Sequence, residues 1–255
     1  MTRPTVMMAE MTWPEFAEHL ERDPVVFLPT GMLEQHGPHL PMGVDHLLPA
    51  AIAAVVAQEV DGIVAPPVNY GYKSMPRSGG GPGFPGSCGL DGATLSTVVR
   101  DVIRELARHG VRRVCVLDGH FENLWFLNEG IDLAMRDAGD TGLRVMCLQH
   151  WEFLTEETLG KVFPEGYPGI ELEHAAVLET SLMMHFHPEL VRGDRIPDNA
   201  PMDAPPYDVW PARTEWVPGT GALTSAAGAS AGKGALIVEQ YRRDMAAAVR
   251  RELVP

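Results

Sequence analysis

Two clusters of carboxylate and imidazole side chains follow two apolar runs of the chain. Glu34, His36 and Asp45 follow the first run, and His120 and Glu122 follow the second. Carboxylate oxygen and imidazole nitrogen are the ligands that Zn²⁺, Mn²⁺ and similar ions take. A carboxylate such as Asp45 can bridge two ions, which leaves three protein ligands for each ion and open positions for water. Two such ions, about 3.5–4 Å apart, activate water and polarise a carbonyl group, so the pattern predicts a two-metal hydrolase.

The elements that must position these side chains alternate between strands and helices. The two apolar runs are typical of buried strands, and ligands at the C-terminal ends of strands are where sites collect in parallel α/β proteins. We expect Glu34, His36 and Asp45 on the loop after the first strand. The alternation predicts a mainly parallel sheet with helices on both faces. The predicted strands cover residues 25–31, 62–67, 114–119 and 143–148, and the predicted helices cover 47–60, 93–108, 123–136, 173–185 and 233–252, with 151–167 helical in part.

Two segments have no regular pattern. Residues 69–91 are rich in Gly and Pro and predict a long loop, which in a compact domain is usually functional or disordered. Residues 196–224 are rich in Pro and aromatic residues, a composition that often covers a neighbouring element or a subunit contact. Because no repeat or linker interrupts the chain, we expect one domain over residues 1–255.

Composition limits the partners and the compartment. The formal charge of −14 argues against nucleic acid and against an anionic membrane surface, and it is compatible with a neutral or cationic small-molecule substrate. The three cysteines are an odd number, which does not suit a disulfide framework and does suit a reducing compartment. The chain begins Met-Thr-Arg-Pro without an apolar leader, and it has no apolar run of the roughly 18 residues that span a bilayer. We therefore expect a cytoplasmic protein.

Motifs along nearly the whole chain resemble those of the creatininase (creatinine amidohydrolase) family. The motif LEQHG at 33–37 is typical of the wider superfamily, whereas SGGG at 78–81 and PPYD at 205–208 are typical of a narrower group. The matching segments are LEQHG at 33–37, VD at 44–45, YGYKS at 70–74, SGGG at 78–81, LDGATL at 90–95, IRELARHG at 103–110, GH at 119–120, EN at 122–123, EGIDLA at 129–134, EH at 173–174, ETSLM at 179–183 and PPYDV at 205–209. The resemblance implies a three-layer α/β/α sandwich with a mainly parallel sheet, assembled as a homohexamer. It also implies hydrolysis of a C–N bond in a cyclic amide, creatinine or a close analogue.

The resemblance also implies how the metal ligands divide. Glu34 and His120 match the residues that hold one ion, usually Mn²⁺ or Zn²⁺. His36 and Glu122 match those that hold the other, usually Zn²⁺, and Asp45 matches the bridge. The implied cofactors are therefore two divalent metal ions per chain.

Further roles follow from the same resemblance. His174 matches the histidine that carries a proton to the leaving nitrogen, and Glu122 is the next candidate for that role. Ser78 matches a residue that lines the substrate pocket, and Trp151 matches an aromatic residue on a mobile flap. Glu179 matches an acidic position behind the site, where it could support a neighbour.

The chain departs from the family at positions that recognise the substrate. Phe121 stands where the family has Tyr, and Ile170 and Glu171 stand where it has Trp and Asp. Because Ile170 cannot stack on a flat cationic ring as an indole can, the reaction class is better supported than the substrate. Two alternatives remain open. One is hydrolysis of a different amide, a lactone or an N-formyl compound, and the other is a non-catalytic metal-binding assembly protein of the same fold.

Overall fold

Four parallel strands lie between two layers of helices in the computed structural model, which describes residues 5–254. The predicted three-layer α/β/α sandwich with a parallel sheet is confirmed, and residues 1–4 and 255 of the predicted domain lie outside the description. The strands are β1 (Val25–Thr30), β2 (Ile63–Val64), β3 (Arg113–Asp118) and β4 (Arg144–Gln149). The α-helices are α1 (Trp13–Leu20), α2 (Val44–Val60), α3 (Gly92–Arg108), α4 (Leu124–Ala138), α5 (Glu156–Val162), α6 (Val177–Phe186) and α7 (Ala231–Leu253).

The sheet is apolar on both faces because helices cover both. Successive strand residues point to opposite faces, so Phe27 packs into one core cluster and Leu28 into the other. Helices α2, α6 and α7 pack on the first face, and α3 and α4 pack on the second. Burial of both faces explains why β1 is an unbroken apolar run rather than an alternating one.

The strand order β2-β1-β3-β4 sets the position of the site. The chain leaves β1 through α2 on one face of the sheet, whereas it leaves β3 through α4 on the other. The carboxyl ends of β1 and β3 therefore lie at the point where the connections diverge, and open α/β sheets bind ligands at such a crevice.

Two helix starts differ from the sequence-based prediction. Helix α2 begins at Val44 rather than 47, so Asp45 lies in the first turn of a helix and not on the preceding loop. Helix α6 begins at Val177 rather than 173, because Ala175 adopts a left-handed φ of 55° that a helix cannot contain. His174 consequently lies in a turn before the helix.

Two further differences concern short elements. Strand β2 covers two residues instead of the six predicted. Helix α1 was not predicted, although Thr12 and Glu15 form a capping box at its start: the Glu15 carboxylate accepts the Thr12 backbone N–H at 2.6 Å. No helix within residues 5–254 has the length and apolarity needed to cross a bilayer.

Candidate metal centre

The ends of β1 and β3 are joined side by side beneath the site. Thr30 pairs with Asp118 at the last position of the ladder, and the Thr30 hydroxyl donates to the Asp118 carboxylate at 2.9 Å. The loop after β1 carries Glu34 and His36, and the segment after β3 carries His120. The paired strands therefore bring the two sequence clusters to one place.

Helix α2 inserts Asp45 between these two strand ends. A Cβ on either Gly31 or Gly119 would overlap the backbone carbonyl of Asp45, so glycine at both strand ends allows the helix to approach. Pro49 lies four residues after Asp45 and has no N–H to donate to that carbonyl. The close approach buries the Asp45 side chain in the centre of the site.

Asp45 is shared by two groups of potential ligands. His120 Nδ1 lies 3.1 Å from Glu34 Oε1 and 3.1 Å from Asp45 Oδ2. His36 Nε2 lies 2.9 Å from Asp45 Oδ1 and 3.6 Å from Glu179 Oε2. Each of these two trios has its ligand atoms within 4.8 Å of one another, as a bound ion requires. The two oxygens of Asp45 thus face different trios.

His174 borders the same centre. Its Nδ1 lies 3.8 Å from Glu34 Oε1, and its ring lies 4.3 Å from that of His36 between centroids. Glu34, His36 and His174 form a third group that could hold an ion, and it shares members with the other two.

Glu122 lies beside the two trios, and its role as a metal ligand stays a prediction. Among the described residues it belongs to none of the three groups, and the structure groups His36 with Glu179 instead. Glu122 Oε1 accepts the Ser78 hydroxyl at 2.5 Å and the Met75 backbone N–H at 2.8 Å, and its Oε2 lies 3.2 Å from His120 Nε2. The carboxylate therefore links the Ser78 loop to the centre.

Unpartnered polar atoms show that the centre suits cations. Within residues 5–254, four buried atoms of these side chains make no hydrogen bond of good geometry, although three of them lie 2.9–3.2 Å from another side chain of the centre: Glu34 Oε2, His36 Nε2, Asp45 Oδ2 and Glu122 Oε2. A buried polar atom without a partner is costly, and divalent ions would satisfy these donors of electron pairs. The donor set fits two such ions.

The charge balance of the centre leads to the same conclusion. Burial opposes protonation of His36, but the carboxylates of Asp45 and Glu179 outweigh it and raise its pKa well above the usual value. Burial likewise opposes protonation of His120, whose pKa is raised by Glu122, Glu34 and Asp45. Both imidazoles would hold protons without metal, so the pocket favours positive charge at the places where ions would bind.

A hydrogen-bond network that sequence reasoning missed supports His120. Buried Asp118 accepts Asn123 Nδ2 and Gln149 Nε2, each at 2.9 Å. Asn123 Oδ1 accepts the Tyr72 N–H at 2.7 Å, and the Tyr72 carbonyl lies 3.0 Å from His120 Nε2. This contact leaves His120 Nδ1 facing the carboxylates. Burial raises the pKa of Asp118 to about 6, against the opposing effect of its hydrogen bonds. The only sequence signal for this network was that Asp118, Asn123 and Gln149 are polar and lie at or just after the ends of β3 and β4.

The centre forms the floor of a cavity that opens to solvent. The rings of Phe121 and Trp151 stack at 6.2 Å between centroids with an interplanar angle of 22°. Every residue predicted to bind substrate lines this cavity, namely Ser78, Phe121, Trp151, Ile170 and Glu171. The predicted substrate-binding residues and most of the predicted metal ligands therefore line one cavity.

Comparisons with known proteins agree along the whole chain. The creatininase family model, described as creatinine amidohydrolase, matches residues 9–249. Creatinine amidohydrolase of Pseudomonas putida is 46% identical, over 98% of this chain and 98% of its own. The mycofactocin precursor peptide peptidase of Mycolicibacterium smegmatis is 30% identical over 68% of this chain and 62% of its own.

Solved creatininase structures match as closely. A mutant creatininase complexed with creatine superposes with a TM-score of 0.95 at 45% identity, covering 99% of this chain and all of that chain. A mutant of Zn–Zn type and a Mn form each superpose with a TM-score of 0.96, with the same coverage and identities of 45% and 46%.

Proposed function

The chain belongs to the creatininase family, and on that premise we propose that it is a two-metal amidohydrolase that opens a cyclic amide, creatinine or a close analogue. One observation carries the proposal: two trios of ligands share Asp45 on the floor of a cavity lined by the residues predicted to bind substrate. When bound, the ions supply an activated water and polarise the carbonyl group.

Within this proposal the ligands divide by geometry. Glu34, Asp45 and His120 hold one divalent ion, and His36, Asp45 and Glu179 hold the other. Glu179 thus takes the place that the resemblance gave to Glu122. The ions are zinc or manganese, as in the creatininase structures of Zn–Zn type and Mn form.

His174 is the proposed proton carrier. Hydrolysis joins the oxygen of water to the carbonyl carbon and breaks the C–N bond, and the nitrogen leaves only after it gains a proton. Burial, followed by the nearby His36, lowers the pKa of His174, so its imidazole is neutral at pH 7 and can accept a proton from water. His174 then gives that proton to the leaving nitrogen, as a general acid and base near neutral pH does.

Glu122 is the second candidate for proton transfer. Its carboxylate lies 3.2 Å from His120 and accepts hydrogen bonds from Ser78 and Met75. These two hydrogen bonds occupy Oε1, whereas Oε2 has no hydrogen-bond partner within residues 5–254. Oε2, which lies 3.2 Å from His120 Nε2, is therefore the oxygen that would exchange a proton in this role.

The aromatic pair Phe121 and Trp151 supplies the apolar wall of the substrate pocket. Ile170 and Glu171 line the same cavity. A flat ring bound there would contact Phe121 and Trp151 but would lack the indole that the family has at position 170. We therefore expect Ile170→Trp to increase turnover of creatinine.

The test is an assay of the metal-loaded protein on creatinine, other cyclic amides, lactones and N-formyl compounds. The His174→Ala variant should lose about 10²- to 10⁴-fold in kcat on the best substrate, while elemental analysis still finds both ions. A surface variant, His109→Ala, is the matched control and should behave as wild type. Full activity of His174→Ala would reject its role as proton carrier.

A second candidate function keeps the chemistry and changes the substrate. The departures at Phe121 and Ile170 favour it, as does the 30% identity with a peptide peptidase. Preference for a linear or N-formyl amide over creatinine in the same assay would select it. Complete absence of hydrolysis would favour the non-catalytic metal-binding alternative.

We also propose a homohexamer in the cytoplasm. Large aromatic side chains at the surface, among them Tyr207 and Trp210, support assembly. The three cysteines are free, with Cys115 buried and Cys88 exposed, which suits a reducing compartment.

A further inference from the structure

Gln35 lies between the two ligands of the first motif, and its buried side chain reaches three other segments. The carboxamide Nε2 lies 3.2 Å from the Gly79 carbonyl and 2.9 Å from the Gly221 carbonyl. The carboxamide Oε1 accepts the Gly37 backbone N–H at 2.9 Å. The same Nε2 lies 2.9 Å from His174 Nε2.

The surroundings are shaped around this carboxamide. A Cβ on Gly221 would overlap the side chain of Gln35, and a Cβ on Gly80 would crowd it. Both glycines also have positive φ angles, 81° and 88°. Gly37, with a φ of 66°, lets the chain turn so that its N–H reaches Oε1. The loops on either side therefore approach Gln35 more closely than any other residue type would allow.

Counting hydrogens fixes the orientation of the carboxamide. Nε2 has two hydrogens, and the carbonyls of Gly79 and Gly221 accept both. A flipped amide would face these two carbonyls with an oxygen and would set an N–H against the N–H of Gly37. The observed orientation is therefore the one that satisfies every donor.

The number of hydrogen bonds favours one tautomer of His174. If His174 Nε2 accepted a hydrogen from Gln35 Nε2, one loop carbonyl and the backbone carbonyl of Gln35, which lies 2.9 Å from His174 Nε2, would lose their donors. The consistent assignment has His174 Nε2–H donating to this carbonyl. Nδ1 is then the unprotonated nitrogen, and it faces Glu34 across 3.8 Å.

We infer that Gln35 is a positioning residue with two effects. It holds His174 in the Nε2-protonated tautomer, with Nδ1 free toward the metal centre. It also holds the Ser78 and Gly221 loops in place around its own side chain. The tautomer itself does not depend on the proposed function, but its consequence for catalysis rests on that function. In it, His174 Nδ1 is the atom that accepts and returns the proton. The side chain anchors the turn at residues 35–37, and the turn holds the carbonyl against His174.

Two variants separate the two parts of this role. Gln35→Met keeps the side-chain volume but removes the hydrogen bonds on all sides, so the turn loses its anchor and His174 is freed to exchange tautomers. Gln35→Glu presents a carboxylate to the two loop carbonyls, which repels the loops, but the backbone carbonyl of residue 35 still accepts from His174 Nε2–H and the new carboxylate can accept from it too. The first variant tests the tautomer and the second tests the loops.

The experiment is ¹⁵N NMR of the zinc-loaded protein labelled at histidine, with the His174 signals assigned by their loss in His174→Gln. We expect a protonated Nε2 and an unprotonated Nδ1 in wild type. Gln35→Met should show mixed tautomers and lose about 10- to 100-fold in kcat, the usual range for a lost orienting partner, with a smaller change in KM. Gln35→Glu should keep the tautomer and raise KM, because the Ser78 loop is displaced.

The outcomes that overturn the inference are distinct. A protonated Nδ1 in wild type would overturn it, as would a Gln35→Met variant with wild-type spectrum and kcat. Loss of activity in Gln35→Met with an unchanged tautomer would make Gln35 merely structural and would also overturn it. If Gln35→Met does not fold, the wild-type spectrum and Gln35→Glu still decide. Full activity of His174→Gln with the expected wild-type tautomer would instead reject the proton-carrier role in the proposed function and leave the assigned tautomer intact.

Discussion

Asp45 is the residue that the two trios of potential metal ligands share. Its Oδ2 faces His120 and its Oδ1 faces His36, each within about 3 Å, so neither trio is complete without it. Burial opposes ionisation of Asp45, but His36 and His120 prevail and lower its pKa. The carboxylate is thus held ionised and available to two ions at once.

The choice between Glu179 and Glu122 as the second ligand can be tested directly. Glu179→Gln should lose about one ion per chain, because His36 and Asp45 alone are a weak pair. Glu122→Gln should keep both ions and lose activity, because its carboxylate contacts His120 and the Ser78 loop rather than His36. Elemental analysis after dialysis distinguishes them, and the reverse pattern would restore the division that the sequence predicted.

The sequence predicted much of the site because its residues follow recognisable strands. Glu34, His36 and His120 follow apolar runs, and the structure brings them together with Asp45. Glu179 and Gln35 gave weaker signals. Glu179 lies in an apolar helix and approaches His36 only through the fold. Gln35 has a role only relative to loops that no local pattern connects to it.

His150 provides a test of burial through pH. Burial lowers its pKa to about 4, with a small opposing effect from Glu179 and Asp45, and its Nδ1 lies 3.1 Å from the Tyr241 hydroxyl. In the unfolded chain the histidine pKa is about 6.5, so the unfolded state takes up the proton first as the pH falls. The contribution of His150 to the free energy of unfolding is therefore fully present above pH 6.5 and is lost toward pH 4. Between pH 7 and 5 this loss amounts to about 2 kcal/mol.

The His150→Gln variant should lack this part of the pH dependence. Urea unfolding of the metal-free wild type and variant at pH 7 and pH 5 measures the difference. Equal losses of unfolding free energy in the two proteins would show that His150 is not held neutral by burial.

At the scale of elements, the start of α2 matters most. The prediction began this helix at residue 47, with the run rich in Ala, Val and Leu, whereas the helix begins at Val44. The early start puts Asp45 on a rigid helix rather than a loop, and the strand-end glycines receive it. Local propensity could not show this, because the helix is extended by its packing against β1 and β3.

Gly119→Ala tests this approach of helix to strand. The added methyl would overlap the Asp45 carbonyl and the Pro49 ring, neither of which can move without shifting α2. We expect a loss of about 1–3 kcal/mol in the free energy of unfolding, typical of overpacking, together with weaker binding of both ions. Urea unfolding and zinc titration measure the two effects.

Gly160→Ala is the matched control for that substitution. Gly160 lies in α5, and no described atom lies within 4 Å of a Cβ added there. Alanine should stabilise this helix by roughly 0.5–1 kcal/mol and leave zinc binding unchanged. If Gly119→Ala and Gly160→Ala had the same effect on unfolding and on zinc binding, Gly119 would not be needed for the approach of α2 to β3.

At the scale of the whole molecule, the surface is not uniformly polar. Trp13, Trp125 and Trp210 are 81%, 77% and 73% exposed. Contiguous patches of exposed apolar side chains are typical of contact surfaces. The sequence predicted that the segment at residues 196–224 covers a neighbour, and both Tyr207 and Trp210 within it lie exposed in the single chain. A single domain and a homohexamer both stay predictions.

Light scattering at micromolar concentration should give six times the mass of one chain, and Trp210→Glu should reduce it. The substitution sets a charge in a surface that we expect to be buried between copies, where an unpaired charge is costly. Trp13→Glu adds the same charge at a similarly exposed tryptophan on α1. It shows whether a charge at any exposed tryptophan lowers the mass of the assembly. If Trp210→Glu lowers the mass and Trp13→Glu does not, the segment at residues 196–224 contributes to assembly. A monomeric mass for wild type would instead require that these aromatic side chains face solvent, and the hexamer would be rejected.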